Sequence, residues 1–465
     1  MTRVLLIQPP WYLRRGNVWK DIGSCMPPRG IAQIASVLEA RGISVRILDA
    51  QAERTPPPQV AAALGSERYD FIGITATTLL IRSAMEIARD LKKRQPSATL
   101  VLGGVHPTVL PEEVLACPSV DYVVRGEGEQ TFLELVQGRA PEKIDGLSYR
   151  RDGAVVHNRE RALLPDLDSL PPPAYHLLPM DRYYPSQGAY RRLPALSMMA
   201  TRGCGARCTF CYRMFGNRVR VRSARHLIEE LRLLRRDYGI REIQFLDDTF
   251  TAARKTIMEF CALMAAERVD LTWSCFARVD FIDEELLRSL KAAGCHQIMY
   301  GFESADPAVL AAIDKRAGLE RAEEAARLTK KVGIDLRGAF MLGNPGETAE
   351  SMERTLRWAV RMNPDLAVFN ITTPYPGTAM FAWAKEQGYL MTEDWDDYDL
   401  SRSVMRLPTV TPEEVDRFYR EAYRRFYLRP RYILGRLARL HRPHELSVGW
   451  KAMNNLLDVF RARER

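Results

Sequence analysis

The sequence has no long apolar run. None of its hydrophobic stretches reaches the roughly 18 to 20 residues that a membrane-spanning helix needs, although hydrophobic residues make up 46% of the 465-residue chain. The apolar stretch near the start, at residues 4–7, is short and is soon followed by two prolines, which argues against a secretory signal peptide. We therefore expect a cytoplasmic globular protein.

The chain also lacks the evenly spaced cysteines of a disulfide framework. Only three of its eight cysteines lie close together in the sequence. This usage is typical of a protein from a reducing compartment, in which clustered cysteines bind metal or take part in catalysis.

No excess of one charge runs through the whole chain. The net charge is +9, but residues 417–465 carry 13 Lys or Arg and only 4 Asp or Glu, so the remainder is close to neutral. A uniformly basic nucleic-acid-binding protein is therefore disfavoured. Contact between the basic end and an acidic partner, or the inner face of a membrane, stays open as an alternative.

The length predicts two or three domains, and the patterning divides the chain into four segments. Residues 1–140 alternate five β-rich runs with helical patterns, which predicts a doubly wound parallel sheet of the Rossmann or flavodoxin type. Residues 141–194 form a Pro-rich connecting segment with a hairpin around Asp152. Residues 195–380 contain six βα units, which predict a partial parallel barrel of the TIM type. Residues 381–465 form a basic helical region.

A cysteine motif follows the first predicted barrel strand. The segment TRGCGARCTFCYR spaces Cys204, Cys208 and Cys211 as CxxxCxxC. Three thiolates can hold three corners of a [4Fe-4S] cluster and leave one iron open to a small molecule. A zinc site is the alternative, but structural zinc takes four ligands and no further Cys or His lies close by in the sequence.

The motif and the βα units around it resemble the radical S-adenosylmethionine superfamily over residues 195–380. The resemblance implies reductive cleavage of S-adenosylmethionine to a 5'-deoxyadenosyl radical, with a donor such as flavodoxin or ferredoxin supplying the electron. It also implies S-adenosylmethionine contacts at the carboxyl ends of the barrel strands. The positions that match are Phe210, Asp247, Asp248, Arg278, Glu303, Gly343 and Pro374.

Several of these positions also have a simpler interpretation. Asp247 and Asp248 could cap a helix. Arg278 could form a surface ion pair with Asp280 or Glu284. Gly343 could serve only the turn from a strand to a helix. Each match is weak alone, but the matches follow one another in the strand order of the family.

The amino-terminal sheet carries Gly-rich segments at the carboxyl ends of its strands, where doubly wound sheets bind ligands. Upstream of the cysteine motif, this arrangement resembles the cobalamin-binding radical S-adenosylmethionine enzymes and implies cobalamin as a third cofactor. The alternative is that the glycines only make tight turns. The positions at which the resemblance implies cobalamin contacts are Thr75, Thr77, Gly103, Gly104, Gly126 and Glu127.

One feature of many cobalamin proteins is absent. The DxHxxG motif, which supplies a lower axial histidine to cobalt, is not present because Asp49 is followed by Ala50 and Gln51. We therefore expect cobalamin to bind without that histidine. His106 is interpreted as a hydrogen-bonding residue and is not assigned to cobalt.

The combined prediction is a radical enzyme that methylates an unactivated carbon of a small-molecule, lipid or tetrapyrrole substrate. Cyclisation or oxidation with the same cofactors, and a non-catalytic cobalamin-binding protein, are the alternatives. A tRNA methylthiotransferase-like enzyme is disfavoured because the amino-terminal segment has only Cys25 and Cys117, too few for a second cluster. No catalytic residue is assigned, and the substrate cannot be read from these motifs because loops shape the pocket.

The aromatic and Arg-rich stretch at residues 417–440 has two interpretations. Its apolar residues recur at helical spacing, so it could cover the barrel with a solvated Arg face. It could instead lie on anionic lipid. The covering helix is the preferred interpretation.

Overall fold

The computed structural model describes residues 2–11, 23–186 and 188–437. These residues divide into two units. The first unit consists of residues 2–11, 25–183 and 212–222. The second unit consists of residues 23–24, 184–186, 188–211 and 223–437.

The β-rich runs of the first unit form one parallel sheet, as the sequence predicted. Its strands are β1 Arg3–Gln8, β2 Ser44–Asp49, β3 Phe71–Thr75, β4 Thr99–Gly103 and β5 Tyr122–Val124. Their order is β2-β1-β3-β4-β5, and every neighbouring pair is parallel. The strand order reverses between β1 and β3, which creates the switch point at which doubly wound sheets bind ligands.

Amphipathic helices connect these strands. In the first of them the apolar residues Ile31, Ala35 and Leu38 recur every three or four positions and are buried. The helices are α1 Arg29–Glu39, α2 Pro57–Ala63, α3 Ile81–Arg94, α4 Val105–Val109, α5 Pro111–Leu115 and α6 Gly128–Val136. Helix α1 packs beside α6, and α2 beside α3.

An antiparallel hairpin extends this sheet. Strands β6 Leu147–Arg151 and β7 Ala154–His157 pair with each other, and β6 pairs with β5. The predicted turn is present: Asp152 and Gly153 take φ angles of 52° and 80°, the left-handed region that tight hairpin turns need. This part of the Pro-rich segment therefore belongs to the first unit.

The second unit contains six parallel strands in the order β15-β14-β13-β12-β11-β8, the partial barrel that the sequence predicted. These strands are β8 Ala195–Met198, β11 Glu242–Phe245, β12 Thr272–Ala277, β13 Cys295–Glu303, β14 Asp335–Leu342 and β15 Leu366–Ile371. The chain also has two strands of two residues, β9 Thr201–Arg202 and β10 Arg220–Val221.

Helices alternate with the barrel strands, as a right-handed parallel crossover requires. They are α7 Ala224–Tyr238, α8 Arg254–Ala266, α9 Glu284–Ala292, α10 Pro307–Ala312, α11 Leu319–Lys331, α12 Ala349–Met362, α13 Ala379–Glu386, α14 Pro412–Tyr427 and α15 Pro430–Leu437. Within the described ranges, no helix is long and apolar enough to cross a membrane.

Aromatic side chains define the outer, helix-covered face of the barrel sheet. Phe302 on β13 and Phe340 on β14 both pack against Trp358 of α12. Tyr300 on β13 shares a hydrogen bond of 2.9 Å with Thr329 of α11. Because side chains alternate along a strand, the residues between these positions face the inside of the barrel.

A buried carboxylate links several segments at the amino-terminal end of the barrel strands. Glu242, which is 1% exposed, accepts hydrogen bonds from the backbone nitrogens of Arg191 and Arg192 and from the hydroxyl of Thr272. Its second oxygen lies 2.8 Å from Nε2 of His296. One side chain thus joins three segments that are distant in the sequence.

Glu242→Ala is expected to lower the free energy of unfolding by about 3 kcal/mol, since it leaves several buried polar groups without an acceptor. Chemical denaturation of the purified chain measures the change. Glu267→Ala is the control, because that exposed carboxylate forms only a surface ion pair with Arg232 and should have little effect. Equal effects of the two substitutions would contradict the structural role of Glu242.

Tyrosines of α14 cover the free edge of β15. The hydroxyl of Tyr423 hydrogen-bonds both the backbone nitrogen and oxygen of Phe369, and Tyr427 does the same to Ala367. These bonds satisfy backbone groups that an uncovered edge strand would expose. The preferred interpretation, a helix that covers the barrel, is therefore confirmed for α14. The remainder of the basic region, residues 438–465, lies outside the described residues.

Candidate functional site

The cysteine loop lies at the carboxyl end of the barrel sheet, after β8 and β9. Cys204 is half-buried, Cys208 is buried and Cys211 is exposed. The loop is anchored between two of its cysteines: the backbone nitrogen of Thr209 donates to Ile313, and the oxygen of Thr209 accepts from Met380. Adjacent to this anchor, Phe210 packs against a cluster that contains Ile313 and Met380. Phe210 thus holds the loop against the barrel.

Asp247 and Asp248 bind the backbone that leads into this loop. One oxygen of Asp247, which is 2% exposed, accepts from the backbone nitrogens of Ala200 and Thr201 and from the Thr201 hydroxyl at 2.7 Å. Asp248 accepts from the backbone nitrogen of Gly203 at 3.2 Å. The helix-capping alternative is wrong, because the 3₁₀ turn and α8 that follow begin without a side-chain cap.

Asp247→Ala is expected to loosen the cysteine loop. The substitution removes three hydrogen bonds to a charged acceptor, each worth about 1.5–3 kcal/mol. Iron should then be lost severalfold faster to a chelator after anaerobic reconstitution. The exposed Asp270→Ala is the control and should keep the wild-type rate. A wild-type rate of iron loss in Asp247→Ala would refute the positioning role.

Polar and cationic groups surround the two less exposed cysteines. The Cys204 sulfur lies 3.5 Å from the hydroxyl of Thr249. Arg278 directs Nη1 toward the Cys208 sulfur at 3.8 Å while its other nitrogens bind Asp280. The ion pair considered as the alternative for Arg278 is therefore present, with Asp280, and it leaves one nitrogen for the cysteine. The thiolate is the form of cysteine that binds iron, and Arg278 places a positive charge beside the Cys208 sulfur.

Glu303 takes an unusual backbone conformation at the end of β13. Its φ is 64°, in the left-handed region that non-glycine residues rarely adopt, and the β13–β14 register shifts at this point. Its carboxylate forms an ion pair of 2.9 Å with Lys315, and both side chains are less than 10% exposed. Burial alone would lower the pKa of Lys315, but the charges of Glu303 and Cys208 outweigh it and raise that pKa.

Gly301 makes room for this ion pair. A Cβ atom at position 301 would lie 2.2 Å from Oε1 of Glu303 and 3.1 Å from Nζ of Lys315. The Glu303 side chain therefore folds back over the glycine, inside the mouth of the barrel. Only a residue without a side chain is compatible with this position of the carboxylate.

In the described part of the chain, no three Cys, His, Asp or Glu side chains form a group that could hold one metal ion. Zinc needs its ligands to converge on one ion, whereas a [4Fe-4S] cluster binds each cysteine at a different iron. Three cysteines on one loop match the donor set of such a cluster.

The turn after β14 is stabilised by a buried glutamate. Gly343 has a φ of 79°, and a Cβ there would lie 3.0 Å from Val415. Glu347, which is fully buried, accepts from the backbone and side-chain nitrogens of Asn344. Burial raises the pKa of Glu347 to about 7. Gly343 thus serves the turn from strand to helix, which was the simpler interpretation of this glycine. Pro374, the other predicted position in this region, is buried just after β15.

Four of the predicted cobalamin contacts lie at the carboxyl edge of the sheet in the first unit. Thr75 pairs with Gly103 at the ends of β3 and β4. Thr77 is exposed, and its hydroxyl caps no helix. Gly126 has a φ of 73° and open space beside it. An exposed threonine beside the β1/β3 switch point and an open glycine after β5, at the same edge of the sheet, are compatible with a bound cofactor.

Two other predicted contacts are engaged within the protein. A Cβ on Gly104 would lie 2.6 Å from the oxygen of Ala76, so this glycine is needed for close packing of two backbones. The Glu127 carboxylate binds Arg220 at 2.9 Å and the backbone nitrogen of Leu164 at 2.8 Å. Their assignment to cobalamin stays a prediction.

His106 is held inside the first unit. It is completely buried in α4, with Nδ1 at 3.4 Å from the Thr78 hydroxyl and Nε2 at 3.5 Å from Glu113. These contacts agree with its interpretation as a hydrogen-bonding residue. Asp49 is buried as well and accepts from the Tyr183 hydroxyl at 2.8 Å.

Comparison with known proteins identifies the family. Two family models match in sequence order, the B12 binding domain over residues 18–136 and the Radical SAM superfamily over residues 198–359. The uncharacterized methyltransferase PH0819 of Pyrococcus horikoshii is 37% identical over 93% of this chain and 94% of its own length. The chain belongs to the cobalamin-dependent radical S-adenosylmethionine enzymes.

Other members differ in the reaction that their names state. The anaerobic magnesium-protoporphyrin IX monomethyl ester cyclase of Rubrivivax gelatinosus is 29% identical over 93% of this chain and 78% of its own length. The radical S-adenosylmethionine methyltransferase TsrM of Kitasatospora setae, solved with cobalamin and a [4Fe-4S] cluster, has a TM-score of 0.68 and 20% identity. The match covers 85% of this chain and 76% of TsrM. At this identity the likeness supports the fold alone.

Three residues of this radical S-adenosylmethionine site, Gly301, Thr249 and Lys315, were not predicted from the sequence. Gly301 and Thr249 each lie within two residues of a predicted position, so their spacing offered a signal. Lys315 offered none, because it meets Glu303 from 12 residues further along the chain. The folded segment between β13 and α11, which contains α10, brings that pair together.

Proposed function

We propose that this cobalamin-dependent radical S-adenosylmethionine enzyme methylates an unactivated carbon of a small organic substrate. The observation that carries the proposal is the cysteine loop at the carboxyl end of a parallel half-barrel, with Nη1 of Arg278 directed toward the Cys208 sulfur. A doubly wound sheet in the same chain, matched by the B12 binding model, supports cobalamin as the second cofactor.

The residues in and around the cysteine loop are proposed to hold the cluster and S-adenosylmethionine. Cys204, Cys208 and Cys211 would hold the cluster, whose bound form supplies the electron that cleaves S-adenosylmethionine to a 5'-deoxyadenosyl radical. Asp247 fixes the loop backbone by its hydrogen bonds. Glu303, which lies in the barrel mouth beside Lys315, is proposed to bind S-adenosylmethionine.

The remaining predicted contacts keep their proposed roles. Arg278 is proposed to act at the carboxylate of S-adenosylmethionine through Nη1, the one nitrogen that Asp280 does not bind. In the first unit, Thr75, Thr77 and Gly126 are proposed to contact cobalamin, which supplies the methyl group when bound. The contacts from Phe210, Asp248, Gly343 and Pro374 to S-adenosylmethionine, and from Gly103, Gly104 and Glu127 to cobalamin, are proposed on the family resemblance.

Cobalt is proposed to bind without a lower axial histidine. The segment at Asp49 lacks the required histidine, and His106 is engaged by Thr78 and Glu113. Electron paramagnetic resonance of the cobalt(II) form tests this point. Hyperfine splitting from an axial nitrogen would refute it, and its absence is the expected result.

Cyclisation or oxidation with the same cofactors is the second candidate, favoured by the similarity to the Rubrivivax gelatinosus cyclase. The decisive experiment is anaerobic reconstitution with iron, sulfide and cobalamin, followed by reaction with S-adenosylmethionine and candidate substrates. A product heavier by one methyl group supports methylation, while loss of hydrogen or gain of oxygen supports the second candidate. No 5'-deoxyadenosine at all would support a non-catalytic cobalamin-binding protein.

The proposed partners are a small-molecule or lipid-like substrate and a reductant such as flavodoxin or ferredoxin. The aromatic residues Tyr423 and Tyr427 of α14 are engaged by β15. A contact between the basic carboxyl-terminal region and a membrane would therefore have to use other residues. Vesicle sedimentation with anionic lipid tests that contact.

A further inference from the structure

Arg337 lies on the inner face of the barrel sheet. It alternates along β14 with residues of the outer face such as Phe340, which packs against Trp358 of α12. Ala339 and Met341 follow it on the inner face, toward the carboxyl ends of the strands. Arg337 is therefore deeper in the barrel than the cysteine loop at its mouth.

This guanidinium has no acidic partner among the described residues. Its side chain is half-buried, and Nε is buried without a hydrogen-bond acceptor. The nearest carboxylate along the strand, Asp335, is bound by Arg191 at 2.8 Å. The titratable groups that act on Arg337 are the hydroxyls of Tyr423 and Tyr427, and burial lowers the pKa of Arg337.

An unpaired, partly buried cation is costly, because burial removes water without supplying a counter-charge. Arginine also presents a rigid fork of donors that matches the oxygens of a carboxylate, phosphate or phosphonate. A bound oxyanion would supply the missing counter-charge. The free protein would then carry the free-energy cost of a partly buried, uncompensated charge, and binding of the ligand would remove that cost.

A second group on the same face lacks a partner. Oδ1 of Asn370 on β15 is buried and accepts no hydrogen bond from any described residue. Asn370 pairs in register with Met341, and Arg337 pairs with Leu366. The pair that contains Asn370 is therefore four residues closer to the barrel mouth than the pair that contains Arg337. Ala339 and Val368, which have small side chains, form the register pair between these two on the same face. The inner face thus offers a cationic donor at depth, an apolar middle and an acceptor near the mouth.

We propose that Arg337 binds an oxyanion of the substrate inside the barrel, so that the substrate is an organic acid: a carboxylate, phosphate or phosphonate. Asn370 accepts a hydrogen bond from a hydroxyl or amine of the same molecule. The acidic group is held at depth and the rest of the molecule extends toward the cysteine loop. This inference rests on the proposed function, since it names the class of substrate for that site.

The test uses simple probes and the purified full chain. Binding of benzoate, phenylphosphonate and the neutral benzamide is measured by calorimetry at constant ionic strength. We expect at least one of the two anions to bind and benzamide not to bind, and the preferred anion tells carboxylate from phosphonate. Arg337→Met should weaken binding of that anion at least tenfold, and Arg337→Lys should weaken it less because the charge remains.

Two further measurements separate this role from a structural one. Without ligand, Arg337→Met should keep or raise the melting temperature, since it removes an unpaired buried charge, whereas a structural arginine would lower it when replaced. Arg357→Met is the matched control, because it removes an exposed arginine of the same unit that pairs only with Glu353, and it should leave anion binding unchanged.

Three results would overturn the inference: no binding of either anion, equal binding to the wild type and Arg337→Met, or a lowered melting temperature of that variant. The measurement needs neither the cluster nor cobalamin. Failure of anion binding would therefore leave methylation open, and failure of methylation would leave the anion site open.

Discussion

Cys208→Ala is expected to abolish cleavage of S-adenosylmethionine. The substitution leaves two of the three thiolates of the loop, which are too few to hold a cluster with one open iron. We expect 5'-deoxyadenosine formation to fall by a factor of at least about 1,000, or roughly 4 kcal/mol in activation free energy. The measurement is 5'-deoxyadenosine per chain under dithionite, together with iron and sulfide content.

The matched control is Cys261→Ala. Cys261 is a buried cysteine of α8 in the same unit, outside the loop, and its loss should leave iron content and 5'-deoxyadenosine near wild-type values. A Cys208→Ala protein that keeps its sulfide and its activity would contradict the cluster assignment. In that case the loop would be a structural feature of the barrel mouth.

Gly301→Ala is expected to weaken binding of S-adenosylmethionine while the protein stays folded. The new methyl group would lie 2.2 Å from Oε1 of Glu303, so the carboxylate must move away and its pair with Lys315 is disturbed. The clash involves the end of a flexible side chain, which can rotate at little cost to the fold. We expect a dissociation constant about tenfold to a hundredfold higher, roughly 1.4 to 2.8 kcal/mol.

Equilibrium dialysis with the reconstituted protein measures that constant, and thermal unfolding checks the fold. Gly318→Ala serves as control, because a Cβ there meets nothing within 4 Å and should change neither quantity. Unchanged binding in Gly301→Ala would show that the position of Glu303 does not matter to the cosubstrate. A large drop in melting temperature would instead indicate that the Glu303–Lys315 pair is mainly structural.

The two substitutions probe different levels of the site. Cys208 acts through its own sulfur, and the sequence motif alone pointed to it. Gly301 acts only through the space that it leaves for Glu303, a role that no motif indicates. If Cys208→Ala abolishes 5'-deoxyadenosine formation but Gly301→Ala leaves binding of S-adenosylmethionine unchanged, the cluster assignment stands. The contact to S-adenosylmethionine would then have to be assigned to a residue other than Glu303.

Local patterning was enough to predict both sheets and the cysteine loop. Apolar runs of three to nine residues between amphipathic helices specify parallel strands, because each strand must be buried on both faces. The CxxxCxxC spacing places three thiols on one short loop whatever the rest of the fold does. The hairpin at Asp152 and the covering role of α14 were also readable, since turn residues and helical periodicity are local signals.

The roles of single residues at the strand ends were decided by tertiary structure. Asp247 could be read as a ligand or a cap, but in the fold it binds the backbone before the cysteine loop. Glu127, predicted to line a cofactor edge, meets Arg220 from 93 residues away. Which partner a carboxylate finds depends on how distant segments pack, and the spacing of residues along the chain carries little of that information.

The sequence by itself determined the family chemistry, because three clustered thiols and alternating strands and helices are properties of neighbouring residues. Tertiary structure alone decided that Lys315 pairs with Glu303, that Gly301 must be small and that Arg337 faces the barrel interior with no carboxylate partner among the described residues. Each of these facts depends on side chains from separate strands and helices meeting in a buried space. Charge pairing and steric fit are set there, after the elements have packed.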